Sequence, residues 1–348
     1  MSFRLFFPGG ALLLMSLVVL RSIAPQLFMV QLLWIVIGLL AIIFFIFFDP
    51  RVIVNSSRIL WGFYAFVSGL LLLSLASPVV RETQAWIRLG AFSFQPVELM
   101  KISLILLYAY YFSRRHIKIK SWSTILISFL LIVIPIGVVA LQPDLGSALI
   151  LGSIWFGFLL LSGLPWQRLI IMIILFLFGL VLMWNFVLKT YHKERIMNVF
   201  YPEQHALTFN YNVIQSKIAI GSAGWWGKGF GQGSQVQAGF LPEAETDFIF
   251  AALVEEWGWI IGALVVSAFL WLMLEILKIG LSVDQNIERF ICLGTVLMLL
   301  VQFFLNIGSV LGISPVIGVP FPLLSYGGSS LVTSLLLLGI IYGISLRS

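Results

Sequence analysis

Leu27-Phe-Met-Val-Gln-Leu-Leu-Trp-Ile-Val-Ile-Gly-Leu-Leu-Ala-Ile-Ile-Phe-Phe-Ile-Phe-Phe48 runs without a single charge, between Arg21 on one side and Asp49 and Arg51 on the other. As a helix it reaches about 33 Å at 1.5 Å per residue, enough to cross a hydrocarbon core about 30 Å thick. The same criterion applied outward from it predicts spans at 5–20, 27–48, 59–78, 97–113, 122–141, 144–163, 167–188, 248–275, 290–312 and 329–346.

The composition agrees. Of 348 residues, 61% are hydrophobic and 10% charged, more apolar surface than an aqueous core can use. The expected fold is an all-α integral membrane protein: one polytopic domain over 1–348, a bundle of about ten transmembrane helices. No small-residue cleavage site follows the first apolar run, so that helix is expected to stay.

The net charge of +6 is read by position. With the N-terminus inside, the inner loops carry Arg51, Arg58, Arg114, Arg115, Lys118, Lys120, Arg168, Lys278 and Arg289, and the short outer loops only Arg21, Arg81 and Arg88. Both termini are therefore expected to be cytoplasmic. Residues 79–96 fall outside, as does a large extracytoplasmic loop at about 189–247 between the seventh and eighth spans. Function is expected there.

Several chemistries are excluded. Cys292 has no partner for a disulfide, and His116, His192 and His205 lack metal-ligand or triad spacing. Basic clusters without a soluble face indicate topology and no nucleic-acid partner.

Asp247 stands where the polar stretch Gly239–Thr246 enters the apolar run from Phe248. Desolvation there favours a base able to take a proton from a sugar hydroxyl; a helix N-cap is an equal alternative. Glu98 and Lys101, three apart, share a helical face and can pair inside the membrane, lining a cavity or joining helices. Asp144 reads as a helix cap after Pro143. Asn212–Ile220 suits a short amphipathic helix at the membrane interface, its apolar side formed by Val213, Ile214, Ile218 and Ala219.

Gly227-Lys228-Gly229-Phe230-Gly231-Gln232-Gly233 lacks the Lys-Ser/Thr ending of a nucleotide loop. With Lys193 and Arg195 in the same loop, it suits either a diphosphate or a tight solvated turn. Glu255 and Glu256 are costly at membrane depth, so at least one needs a polar cavity or a basic partner. The prolines and glycines from Asn306 to Ser330 forbid a continuous helix, so that backbone must be buried in protein or line a cavity.

Taken together, Trp86-Ile-Arg-Leu-Gly90, Gln95-Pro-Val-Glu98 with Lys101, Gln142-Pro-Asp144-Leu-Gly146, Gln215-Ser216-Lys-Ile-Ala-Ile-Gly221, Gly227-Lys228-Gly229 and Gly233-Ser234-Gln235 resemble, in order, the SEDS family (shape, elongation, division and sporulation). Phe240-Leu-Pro-Glu243, Thr246-Asp247-Phe-Ile-Phe250, Glu255-Glu256 and the stretch from Pro320 through Ser325, Tyr326, Gly327, Gly328 and Ser329 to Ser330 continue the match. The rod-shape branch, RodA, is most similar and the division branch, FtsW, second.

The resemblance implies a peptidoglycan glycosyltransferase that polymerises lipid II outside the bacterial inner membrane, with a class B penicillin-binding protein as partner. It matches Asp247 to the family's essential carboxylate. Glu98, Lys101, Arg195, Gln215, Ser216, Lys228, Ser234, Gln235, Glu243 and Thr246 are expected to bind substrate or line the cavity, and Asp144 with the Pro320–Ser329 motif to build it. A divalent cation, Mg or Mn, is the one helper considered, and no organic cofactor is expected.

Two departures stand out. Glu245 occupies the place where many members have His, and Glu82-Thr83-Gln84 fits only loosely. A flippase for the lipid-linked precursor is the rival from another class, since intramembrane charges and interrupted helices also mark transport paths. A scaffold without chemistry of its own is the third reading.

Overall fold

The computed structural model describes residues 2–78, 84–89, 92–115, 121–182, 184–185, 193–194, 197, 199 and 210–347. Its longer helices are α1 (Phe6–Ile23), α2 (Pro25–Phe47), α3 (Ser57–Ser74), α4 (Pro96–Ser113), α5 (Trp122–Leu141), α6 (Leu145–Leu161), α7 (Trp166–Leu182), α8 (Tyr211–Ser222), α9 (Ile249–Ser282), α10 (Asn286–Leu311) and α11 (Gly328–Ser345). Each predicted span has its helix. Seven of them, α1, α2, α3, α5, α9, α10 and α11, are long and apolar enough by themselves to cross a membrane. Helices α6 and α7 are shorter, and α4 carries Glu98 and Lys101. The chain is a multi-pass membrane protein.

Outward faces are as apolar as the core: Leu40, Phe44 and Phe47 on α2, and Ile170, Ile174, Phe176 and Phe178 on α7, are all exposed. Lipid tails solvate such faces as well as other helices do, so close packing depends on small residues. Helix α11 shows this. A β-carbon on Gly339 would come within 3.1 Å of the Ile42 Cα, and one on Gly343 within 2.7 Å of the Phe45 carbonyl, so α11 lies directly against α2.

The largest departure from the sequence reading is in α9. The predicted span 248–275 is broken at Gly258 (φ 82°, ψ 173°) and continues to Ser282. The cause is a second piece of backbone. Residues 224–229 lie against the break, where Trp259 and Ile260 N–H donate to the Gly224 and Trp225 carbonyls (3.1 and 3.4 Å). Lys228 and Gly229 N–H donate to the Glu255 and Glu256 carbonyls (both 2.9 Å). Four main-chain groups near the break thus find partners in the loop, as buried backbone requires. A β-carbon at Gly258 would sit 2.3 Å from the Trp225 carbonyl oxygen, so only glycine fits.

A smaller departure precedes α4. Two three-residue strands, β1 (Ile87–Leu89) and β2 (Phe92–Phe94), pair antiparallel with Arg88 opposite Ser93.

Ends of the bundle differ. At the end holding the α10 N-terminus, the Arg51 Nε is 2.6 Å from buried Glu288, and Arg347 donates to the Phe45, Ile46 and Gly343 carbonyls. The opposite end gathers the irregular backbone.

Candidate active site

Three segments meet at that opposite end: the turn Leu241–Phe248, the C-terminal part of α10, and the irregular stretch 315–327 before α11. Asn306 joins them. Its Nδ2 donates to the Asp247 carbonyl and to the Val319 carbonyl, both at 2.9 Å, from a fully buried position. Ser325 Oγ donates to the Thr246 carbonyl (2.6 Å) and accepts from the Phe321 N–H (2.9 Å). Tyr326 N–H donates to the Glu245 carbonyl (2.9 Å), so the turn is stitched along its length to the 315–327 stretch.

Asp247 is partly exposed, and a β-carbon on Gly318 would lie 3.9 Å from its Oδ2. The carboxylate therefore faces Gly318 of the irregular stretch, where no side chain intervenes. The N-cap position of α9 falls on Phe248, with no side-chain cap, so the alternative of Asp247 as the cap is not what the structure shows. Glu243 (φ 54°) and Leu323 (φ 64°) hold left-handed backbone in the two segments flanking Asp247. Such strain in non-glycine residues persists only where surrounding structure enforces it, and it clusters at functional sites. Thr246 Oγ1 donates to Glu243 Oε2 at 2.9 Å.

The wall on the α4 side follows from caps. Asp144 caps α6, accepting from Ser147 N–H (2.9 Å) and Oγ (2.7 Å), and also receives Gln95 Nε2 (3.0 Å). Gln95 N–H in turn donates to Ser329 Oγ at 3.3 Å. That chain of contacts puts the starts of α4, α6 and α11 together. Glu98 lies in the first turn of α4, where a carboxylate suits the helix dipole, and its Oε1 accepts from Lys101 Nζ at 2.7 Å. Both are buried, and Glu98 Oε2 has no hydrogen-bond partner. Trp34 of α2 covers Gly328 so closely that no β-carbon fits there.

Lys228, Ser234 and Gln235 are gathered around a different carboxylate. Glu255 Oε1 accepts from Lys228 Nζ (2.7 Å), Ser234 Oγ (3.2 Å) and Gln235 N–H (2.9 Å), and Oε2 from Val236 N–H (3.3 Å). The basic partner needed by one of the paired glutamates is thus Lys228, on Glu255. Glu256 Oε1 takes Ser22 Oγ (2.6 Å) and Gln237 Nε2 (3.2 Å).

Helix α8 covers the predicted 212–220 segment. Of its predicted apolar residues Ala219 is buried, Val213 and Ile214 are half-buried and Ile218 is exposed; Ser216 and Ile220 are also buried, and Ser216 Oγ donates to the Val310 carbonyl (2.8 Å) in the last turn of α10, where carbonyls lack helical partners. Gln215 stands on this helix, half-buried. Arg195 lies outside the described residues. Among the described residues no three His, Cys, Asp or Glu side chains gather to hold a metal ion. A cavity of about 280 Å³ lined by Asn55, Ser113, Arg114, Gln285, Asn286 and Ile287 lies at the other end of the bundle.

Residues 3–348 match the model of the FtsW, RodA and SpoVE family, described as "Cell cycle protein". The chain belongs to the FtsW/RodA/SpoVE family. It is 38% identical over 288 residues to the peptidoglycan glycosyltransferase MrdB of Escherichia coli strain K12, covering 82% of this chain and 77% of that one. Its structure is similar to a chain from a peptidoglycan synthase complex described as coordinating polymerization and crosslinking (TM-score 0.86, 28% identity, 99% and 97% of the two chains covered). It is also similar to the rod shape determining protein RodA of Thermus thermophilus (TM-score 0.74, 28% identity, 99% and 96% covered).

Within this FtsW/RodA/SpoVE fold, sequence reasoning gave no role of their own to Asn306 and Gly318, both inside the stretch from Asn306 to Ser330, or to Gln95, quoted only as part of a motif. A buried amide in an apolar helix reads as helix glue, and nothing local signals that its partners lie in two other segments. Lys217 was quoted only as part of a motif. It is exposed on α8, and its ammonium lies against Gly312, which closes α10 in a left-handed cap.

Proposed function

We propose that this chain is a peptidoglycan glycosyltransferase that polymerises lipid II on the outer face of the bacterial inner membrane, in cell-wall synthesis and rod-shape elongation. Both termini are cytoplasmic in this reading, and the chain works as one polytopic unit with a class B penicillin-binding protein. The observation that carries it is Asp247: a partly exposed carboxylate facing Gly318, with its main chain clamped by Asn306.

Asp247 takes the proton from the 4-hydroxyl of the acceptor's GlcNAc. That oxygen attacks the anomeric carbon of the donor's MurNAc, the bond to the lipid diphosphate breaks, and the configuration inverts. Clamping the main chain of the base fixes its approach to the hydroxyl before substrate arrives. Lys101, Lys228 and Arg195 are the proposed cations for the leaving diphosphate. Lys101 and Lys228 each already hold a carboxylate, and Lys228, a quarter exposed, is the more accessible of these two. Gln215, Ser216, Ser234, Gln235, Glu243 and Thr246 shape the surrounding wall. The described residues offer no protein cage for a metal, so Mg or Mn would come bound to the diphosphate and supply charge neutralisation there.

Transport would place the decisive charges at mid-bilayer, in Glu98, Lys101 and Glu255, and would not depend on Asp247. Glu98 lies in the first turn of α4 and Glu255 takes the loop residue Lys228, which favours chemistry at the end where Asp247 stands. The test is polymerisation of purified lipid II by the reconstituted protein with its transpeptidase partner. Glycan strands from the wild type and none from folded Asp247→Asn support the reading; equal product from both removes Asp247 as base, and none from either sinks the polymerase.

A further inference from the structure

We infer that Trp225 and Trp226 form an interfacial anchor, seated in the phospholipid headgroup layer of the leaflet on the Asp247 side. The inference rests on the membrane-spanning fold and not on the polymerase reading. Both indoles point outward, 72% and 81% exposed, from a turn bounded by left-handed Gly224 (φ 62°) and Gly227 (φ 77°). That turn is not loose. Its carbonyls at Gly224 and Trp225 accept from Trp259 and Ile260, the first residues of α9 after the break. The indoles are therefore held at the level where α9 resumes.

The depth of that level follows from the outward face of α9. Trp259, Leu264, Leu270, Trp271 and Leu274 form one apolar exposed stripe, which ends at the half-exposed ammonium of Lys278. From Trp259 to Lys278 a helix rises about 28 Å, close to the thickness of a hydrocarbon core, about 30 Å. Trp259 then marks the boundary between acyl chains and headgroups, and Trp225 and Trp226 extend that lipid-facing surface sideways. Indoles favour this layer because a flat apolar ring is joined to a single N–H donor. The end of α1 adjoins the same loop, with Gly231 N–H donating to Ser22 Oγ (3.1 Å), so exposed Arg21 brings a cation suited to lipid phosphate to the same rim. Two rigidly presented indoles would be disfavoured in water.

The test uses the full chain in phospholipid vesicles. Tryptophan emission of the wild type is compared with Trp225→Phe, Trp226→Phe and the double variant, and the lost emission is assigned by difference. Lipids brominated near the headgroup end of the acyl chain are expected to quench most of that difference, while aqueous iodide leaves it largely untouched. Iodide quenching with no effect of brominated lipid overturns the anchor, as does quenching that arises only when a lipid-linked saccharide is added, which would make the pair a sugar platform. The single variants keep the test decisive if the double variant fails to insert.

Discussion

Glu255 and Asp247 are carboxylates of one stretch of chain, and the fold treats them in opposite ways. Glu255 is fully buried and surrounded by an ammonium, a hydroxyl and two main-chain N–H groups. Asp247 is partly exposed and fixed through its main-chain carbonyl by Asn306, with its carboxylate turned to Gly318. A carboxylate saturated on all sides holds structure together. One whose backbone is clamped is aimed, and its aim does not depend on what its oxygens bind. The two regions sit side by side, joined by the short helix Ser234–Gln237 and the turn that follows it.

The comparison is broken most severely at Asp247 itself. Asp247→Asn is expected to lower glycan-strand formation from lipid II by about 100-fold or more, the range for loss of a general base, with an unchanged thermal unfolding midpoint. Asn306→Leu sharpens it. With both clamped carbonyls released, turnover is expected to fall about 10- to 100-fold, since misplacing a reacting group by about 1 Å has that effect. KM for lipid II should change little, which separates lost aim from lost binding.

Glu255→Gln acts on the other side. It weakens the hold on Lys228 and on the 234–237 turn, and about 1–3 kcal/mol of stability is expected to be lost. The figure stays below that for a wholly buried pair because Lys228 is a quarter exposed. Thermal unfolding in detergent reads this, while turnover per folded molecule should fall far less than in Asp247→Asn, by no more than the share that Lys228 contributes at the diphosphate. The smallest effect is expected from Glu245→His: the main-chain carbonyl that accepts from Tyr326 N–H is kept, so turnover should stay near wild type, and any influence of the side chain two residues from Asp247 should show only in the pH profile of the rate. A superimposable profile would remove Glu245 from any influence on the site.

What the sequence could reveal follows the same divide. Spans were legible because charge-free runs of bilayer length have few other uses, and the Glu98–Lys101 pair because spacing by three places both on one helical face. The break at Gly258 was hidden, since its cause is a loop packed from elsewhere in the chain. The glycines before it were ambiguous for a physical reason: bare backbone suits the approach of a phosphate and of another backbone equally. In the structure, a β-carbon on Gly227 would overlap the Glu256 carbonyl, so at that position the approaching group is backbone. The junction of a polar turn with an apolar run at Asp247 was legible, whereas the grip of Asn306 on the Asp247 carbonyl was not.

The most direct test runs Asp247→Asn and Glu255→Gln in one lipid II polymerisation assay with the transpeptidase partner, at equal amounts of folded protein. The expected result is no detectable strands from Asp247→Asn and readily detectable strands from Glu255→Gln, reduced only by what Lys228 contributes. Product from Asp247→Asn, or equal loss in both, would contradict the assignment of chemistry to the clamped carboxylate and structure to the saturated one.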